Sequence, residues 1–125
     1  MSKARVLIVD DSVVMRMMIK DILSKNGYEI IGEAQNGEDA AAKYKSLRPD
    51  VVTMDMVMPG VNGIGAVKLI IAEDPNAKIV MCTSMGQEAL FKEALDAGAT
   101  ARLTKPFRPS EILEVIGKLV DGTES

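Results

Sequence analysis

The sequence predicts an α/β fold: a doubly wound, five-stranded parallel sheet carrying five helices. Three observations predict it. Five short apolar runs recur along the chain, and each is followed by a longer amphipathic stretch. The runs are continuous rather than alternating, as strands buried on both faces require. A repeated strand-then-helix order builds a parallel sheet with helices on both faces and right-handed crossovers. A chain of 125 residues, 47% of them hydrophobic, is expected to form a single domain over 1–125 with its own core.

The elements follow in order. Val6-Leu7-Ile8-Val9 leads into Asp10-Asp11-Ser12, and the Ser12 hydroxyl is placed to cap a helix over 13–26 that ends at Asn26-Gly27. The second strand, Tyr28 to Ala34, centres on Ile30-Ile31, and Asn36-Gly37 opens a helix over 37–47. Val51-Val52-Thr53-Met54 runs into Asp55 and a loop through Pro59-Gly60 to Asn62-Gly63, before a helix over 63–73 stopped by Asp74-Pro75. Ile79-Val80-Met81-Cys82 ends on Thr83-Ser84, and Gly98 suits the C-terminus of the helix over 87–97. A weaker strand, Ala101 to Thr104, leads to Lys105-Pro106, where a cis bond is compatible with the sequence. Ser110 lies at the start of the last helix, 109–121, and the residues after Gly122 are expected to fray. Met15, Met17 and Met18 are expected in the core beside Val14, Ile19 and Ile22. Met54, Met56 and Met58 read as strand core or pocket wall, and Cys82 as a small buried hydrophobe.

Composition narrows the chemistry. There is no histidine, which excludes His-based triads, His metal sites and an internal phosphohistidine. With 15 basic against 18 acidic residues and a net charge of −3, nothing marks a nucleic-acid surface. A lone cysteine cannot close an intramolecular disulfide, which favours a reducing, cytoplasmic setting. The apolar runs are too short for membrane insertion.

In an open parallel sheet, ligands bind at the carboxyl ends of the strands. Four of the five ends carry polar or charged groups: Asp10-Asp11, Asp55, Thr83-Ser84 and Lys105. Singly, each has an ordinary explanation. Asp11-Ser12 caps a helix, Asp55 starts a loop, Thr83-Ser84 makes a turn, and Lys105 is solvated. Together they compose a site. Carboxylates converging from neighbouring strand ends repel one another unless a cation lies between them, and all-oxygen ligation favours Mg²⁺. A lysine and a hydroxyl nearby suit a phosphoryl group. Without histidine, the nucleophile for phosphoryl transfer is a carboxylate, and Asp55, at the head of its loop, is the best candidate.

Those residues carry a family likeness. Leu7-Ile8-Val9-Asp10-Asp11-Ser12, Asp55-Met56-Val57-Met58-Pro59-Gly60 with Asn62-Gly63, Thr83-Ser84 and Lys105-Pro106-Phe107 together resemble the receiver domains of two-component response regulators, over essentially the whole chain. The likeness is greatest to single-domain chemotaxis regulators of the CheY type. It implies the flavodoxin-like strand order 2-1-3-4-5. It also implies a phosphorylation-dependent signalling switch that assists its own phosphorylation and dephosphorylation without independent substrate turnover. By resemblance Asp55 is the phosphoacceptor. Asp11, Asp55 and the carbonyl of Val57 ligate Mg²⁺ directly, with Asp10 acting largely through water. Thr83 is the hydroxyl that turns toward the phosphoryl group, Ser84 the small residue beside it, and Lys105 the phosphate-binding lysine. The implied partners are a sensor histidine kinase as phosphodonor, a downstream protein target such as the flagellar motor switch, and a phosphatase; the chain itself is expected to be monomeric.

Two departures stand out. The family often places an aromatic residue three positions before the lysine, where it swings inward on activation. Here that residue is Arg102, which is too costly to bury unpaired and is expected at the surface. Val57 and Met85 occupy positions that tune phosphate lifetime in the family, and neither side chain can orient an attacking water, so slow self-dephosphorylation is expected. Phe91, at the edge of the apolar arc of its helix, either packs under that edge or forms a partner-binding face with Arg102.

Other functions fit less well. A phosphorelay intermediate returning phosphate to another histidine is the main rival. A phosphatase of the haloacid-dehalogenase type would need a second Asp two residues after the nucleophile, where this chain has Val57. A flavodoxin-like cofactor carrier has too few aromatics in Tyr28, Tyr44, Phe91 and Phe107, and no glycine-rich phosphate loop is present.

Overall fold

A computed structural model describes residues 3–121; the fraying expected beyond Gly122 lies outside them. The described residues alternate strand and helix: β1 (Arg5–Val9), α1 (Val13–Ser24), β2 (Glu29–Ala34), α2 (Gly37–Leu47), β3 (Val51–Asp55), α3 (Gly63–Glu73), β4 (Ile79–Thr83), α4 (Glu88–Ala97), β5 (Ala101–Thr104) and α5 (Pro109–Asp121). The five strands pair in parallel in the order β2-β1-β3-β4-β5. This is the order the family likeness implied.

Helix boundaries have local causes. Ser12, Asn36 and Asn62 each accept a hydrogen bond from the backbone three residues on, at Met15, Asp39 and Gly65, and so cap α1, α2 and α3. Gly98 closes α4 at φ 122°, a backbone setting that glycine adopts without strain. Pro109 opens α5, where a missing N–H has no consequence.

Two apolar layers sandwich the sheet. On one face Leu7, Val9, Val52, Met54, Ile79 and Met81 pack against Ala40, Tyr44, Ala66, Val67, Ile70 and Ala94 of α2, α3 and α4. On the other, Val6, Ile8, Val51, Val80, Cys82 and Leu103 meet Ile19, Leu23, Ile112, Ile116 and Leu119 of α1 and α5. The central strands β3 and β4 are buried along their whole length, whereas the edge strands β2 and β5 are only partly covered. Met54, Met56, Met58 and Cys82 are buried, as expected. Two of the methionines of α1 are not. Met17 is 64% and Met18 39% exposed. The inward stripe of α1 runs through Met15, Ile19, Ile22 and Leu23, and at 100° per residue Met17 falls on the far side and Met18 at its margin.

One buried side-chain polar atom among the described residues has no hydrogen-bond partner: Oγ1 of Thr53, in the middle of β3. Thr53→Val keeps the branched shape and removes the orphan hydroxyl. It should raise the unfolding free energy by about 1 kcal/mol, read as a higher urea midpoint at unchanged slope. A lower midpoint would show that the hydroxyl is satisfied in solution.

Candidate functional site

The sheet sets the site. The chain leaves β1 for β2 on one side and enters β3 on the other, so a crevice opens where β1 and β3 lie side by side. Asp10 and Asp11 follow β1, and Asp55 is the last residue of β3. Carboxylate oxygens of all three lie within 4.8 Å of one another. Asp10 is 2% and Asp55 9% exposed, and Asp11 faces solvent.

Each acid is held by its surroundings. Asp10 receives a hydrogen bond from the Ser12 amide at 2.9 Å, so the residue that caps α1 also fixes the carboxylate. Its backbone N–H donates to Ala34 at 3.0 Å, and its carbonyl accepts from Arg16, which pairs with Glu33 at 3.1 Å. Asp55 is followed by a loop tied back on itself, since the Gly63 amide donates to the Met56 carbonyl at 2.9 Å. At Gly63 the start of α3 passes so near that a Cβ would lie 2.5 Å from the Asp55 carbonyl oxygen. Glycine is therefore required where α3 meets the head of the loop.

Lys105 comes from the end of β5, across β4, to reach these acids. Its Nζ donates to Asp55 at 2.9 Å and to Asp10 at 3.4 Å. Its amide donates to the Thr83 carbonyl at 2.6 Å, and the Lys105–Pro106 bond is cis. Burial pulls the Lys105 ammonium down, but the hydrogen bond and charge of Asp55 and the charge of Asp10 outweigh it and set it above its ordinary value. Burial pushes the Asp55 carboxyl up; the Lys105 hydrogen bond opposes this, and the negative charges of Asp10 and Asp11 add to it. The Cys82 thiol, paired with Asp55 across the ladder, is pushed up to about 12 by burial and is inert as a nucleophile.

Asp10, Asp11, Asp55 and Lys105 thus converge. The hydroxyl residues do not join them directly. Thr83 is fully buried, and its Oγ1 accepts a hydrogen bond from Arg102 Nε at 2.9 Å. Ser84 is exposed, with its amide donating to the Gln87 side chain at 2.6 Å. Val57 and Met85, two residues beyond Asp55 and Thr83 respectively in the chain, are exposed side chains, 57% and 86% accessible.

Arg102 corrects an expectation. It was expected at the surface because burying it unpaired is too costly; instead its side chain is only 25% exposed. It is not unpaired: Thr83, Glu88 at 3.4 Å and the face of Phe91 at 5.0 Å all receive it. Phe91 itself is half-buried, packed on the α2–α4 layer below and covered by the guanidinium above. Arg16 was not anticipated at all. The signal was Glu33, an acid in the interior of a predicted strand, which needed a basic partner from a neighbouring element.

The sign of the Asp55 shift gives a test. Its folded-state value lies above the ordinary carboxylate value, so between the two the folded chain binds more protons than the unfolded one, and stability falls as pH rises through that window. Without divalent cations, Asp55→Asn should be more stable than the parent, with the difference opening from about pH 4 upward and then levelling. Urea midpoints in a chelator across that range measure it; a parent chain more stable than the variant near neutrality would contradict it.

Comparison with known proteins agrees with this geometry. Residues 6–117 match the response regulator receiver domain family. The chain is 56% identical over 115 residues to the chemotaxis protein CheY of Thermotoga maritima, covering 92% of this chain and 96% of that one. It is 50% identical over 117 residues to CheY of Bacillus subtilis, covering 94% and 98%. Among solved structures, the response regulator domain of Thermotoga maritima CheB superposes with a TM-score of 0.86 at 40% identity, covering 94% of this chain and 96% of that one. A chain of the CheX-CheY-BeF3-Mg+2 complex from Borrelia burgdorferi superposes with a TM-score of 0.87 at 36% identity, covering 92% of this chain and 87% of that one. With this fold, this acid cluster at its switch point and these relatives, the chain belongs to the response regulator receiver domains, as a chemotaxis regulator of the CheY-like type.

Proposed function

We propose that this domain is a switch thrown by phosphorylation of Asp55, with a sensor histidine kinase as donor and a protein target as readout. The observation that carries the reading is the placement of Asp55: a buried carboxylate, bonded to Lys105, within 4.8 Å of two further acids. A carboxylate oxygen of Asp55 attacks the phosphorus of a phosphohistidine on the partner. The new O–P bond forms as the N–P bond breaks, and the departing imidazole nitrogen keeps its electron pair and takes up a proton from solvent. Lys105, already at Asp55, follows the charge onto the phosphoryl oxygens, and Thr83 supplies a hydroxyl once it turns inward. Ser84, small and exposed beside it, leaves the crevice open.

The donor set fits a divalent cation. Three carboxylates and one ammonium leave the pocket negatively charged, and hard oxygen donors without histidine or thiolate suit Mg²⁺. Asp11, Asp55 and the carbonyl of Val57 would hold the ion, with Asp10 at one remove. When bound, it offsets the negative charge of the transferring group. The Borrelia burgdorferi CheY complex, which holds BeF3 and Mg+2 together with CheX, supports both the metal and a protein partner.

The CheY-type relatives support a chemotaxis output, which this reading assigns to a single receiver domain acting as a monomer in the cytoplasm on a target such as the flagellar motor switch. None of the described helices is long and apolar enough to cross a membrane. Phosphatase assistance would suit a site with no group of its own to direct water.

Incubation with Mg²⁺ and a small phosphodonor tests the assignment by intact mass. One phosphoryl group should add, stable in acid and lost in hydroxylamine, and Asp55→Asn should take none. A gain that survives the substitution would overturn it. Exposed Val57 and Met85 flank the phosphorylated residue with side chains unable to hold a water, so decay should be slow and Val57→Asn should speed it severalfold. Decay of the phosphorylated form unchanged by that variant would show that Val57 does not limit water.

A further inference from the structure

Arg102 connects the candidate site to the outer helix. Its Nε donates to Thr83 Oγ1 at 2.9 Å, its outer nitrogen reaches Glu88 at 3.4 Å, and its guanidinium lies 5.0 Å from the centroid of the Phe91 ring. Glu88 and Phe91 both belong to α4. One partly buried side chain therefore touches a strand-end hydroxyl on one side and two helix residues on the other.

The direction of that hydroxyl matters. Strand alternation sets Ile79, Met81 and Thr83 on the α2–α4 side of β4, and the first two pack in that layer. In β3 the same alternation sets Val51, Thr53 and Asp55 on the opposite side, where Val51 packs with α1 and α5. Thr83 thus points its oxygen toward Arg102 and α4. A threonine hydroxyl occupies one staggered position at a time. To meet a phosphoryl group on Asp55, it must leave the rotamer in which Arg102 holds it.

We infer that Arg102 is a latch, a positioning residue that acts through Thr83: it holds the hydroxyl in the unphosphorylated position, and its release on phosphorylation frees the Phe91–Glu88 face of α4. This rests on the reading of Asp55 as phosphoacceptor. The Nε–H and a phosphoryl oxygen compete for the same threonine. Once the threonine turns, a half-buried Nε–H is left without an acceptor, which is unfavourable, and the guanidinium moves out to water. Phe91 then loses its cover and Glu88 its partner. An apolar ring beside a free carboxylate is a surface for a protein bearing an apolar contact next to a basic group. The coupling is polar, with an arginine in place of an aromatic ring.

The latch predicts that Arg102 opposes the activated state. The full chain, labelled with ¹⁵N and titrated with beryllofluoride in Mg²⁺, provides the test, since beryllofluoride stands in for a phosphoryl group. The Arg102 Nε–H signal, identified by its loss in Arg102→Lys, should exchange slowly without the ligand and move to the position of a solvated arginine with it. Arg102→Met keeps the stem over Phe91 but has no donor. It should lower the half-saturating beryllofluoride concentration about two- to tenfold, the equivalent of one hydrogen bond. Glu88→Gln, which spares the Thr83 bond, should change it by much less. If the backbone signals around Asp55 shift while the Nε–H stays in place, or if Arg102→Met binds no more tightly, the latch is wrong and the Asp55 reading stands. An equal effect of Glu88→Gln would assign the effect to surface charge and also remove the latch. If Asp55→Asn titrates like the parent, the Asp55 reading fails and the latch falls with it.

Discussion

Three carboxylates held against one another constrain most of what surrounds them. Asp10, Asp11 and Asp55 have oxygens within 4.8 Å, and like charges at such a distance repel by roughly 3 kcal/mol per pair at an effective dielectric of about 20. Lys105 offsets part of this by bonding to two of the three. The remainder is sustained by rigidity: the Ser12 amide on Asp10, the Arg16 bond to the Asp10 carbonyl, and the tight passage of Gly63 behind Asp55. A site assembled under repulsion is one that a cation relieves. Burial pushes the Asp55 carboxyl up by desolvating its charged form, and the negative charges of Asp10 and Asp11 add to this.

The parallel sheet makes that assembly feasible. Its core is apolar on both faces, so the backbone ends of β1 and β3 are fixed by packing that does not involve the acids. The stability of the sandwich can then carry an unfavourable cluster at the carboxyl ends of its strands, as functional sites commonly require. The opposite end of the sheet has polar links of a structural kind, such as Tyr44 donating to Asp74 at 2.8 Å and Arg48 pairing with Glu73 at 2.9 Å.

Communication outward runs through β4 and β5. Lys105 and Thr83 are linked through the backbone, while Thr83 and Arg102 are linked through side chains. The charge state of the crevice and the position of α4 residues therefore share one threonine. A change of a single hydrogen bond there is comparable to the bias that a two-state element needs to respond.

The fold was legible in the sequence because its signals are local. Continuous apolar runs, a cap at Ser12, turn signals at Asn36-Gly37 and Asn62-Gly63, and Gly98 as a helix stop each act within a few residues, and the observed elements begin and end close to where they place them. The acids, the lysine and the threonine were legible as strand-end residues for the same reason. Side-chain direction was not. Met17 and Met18 lie outside the buried stripe of α1, which depends on how that helix is rotated against β1 and α5, and Arg102 finds partners on two elements distant in sequence. Sequence by itself determined which groups stand at the mouth of the sheet; only the tertiary structure decided which of them touch. Hydrophobic periodicity and capping are properties of neighbours along the chain, whereas a hydrogen bond from β5 to β4 and a cation over a ring of α4 exist only after the strands have paired and the helices have packed.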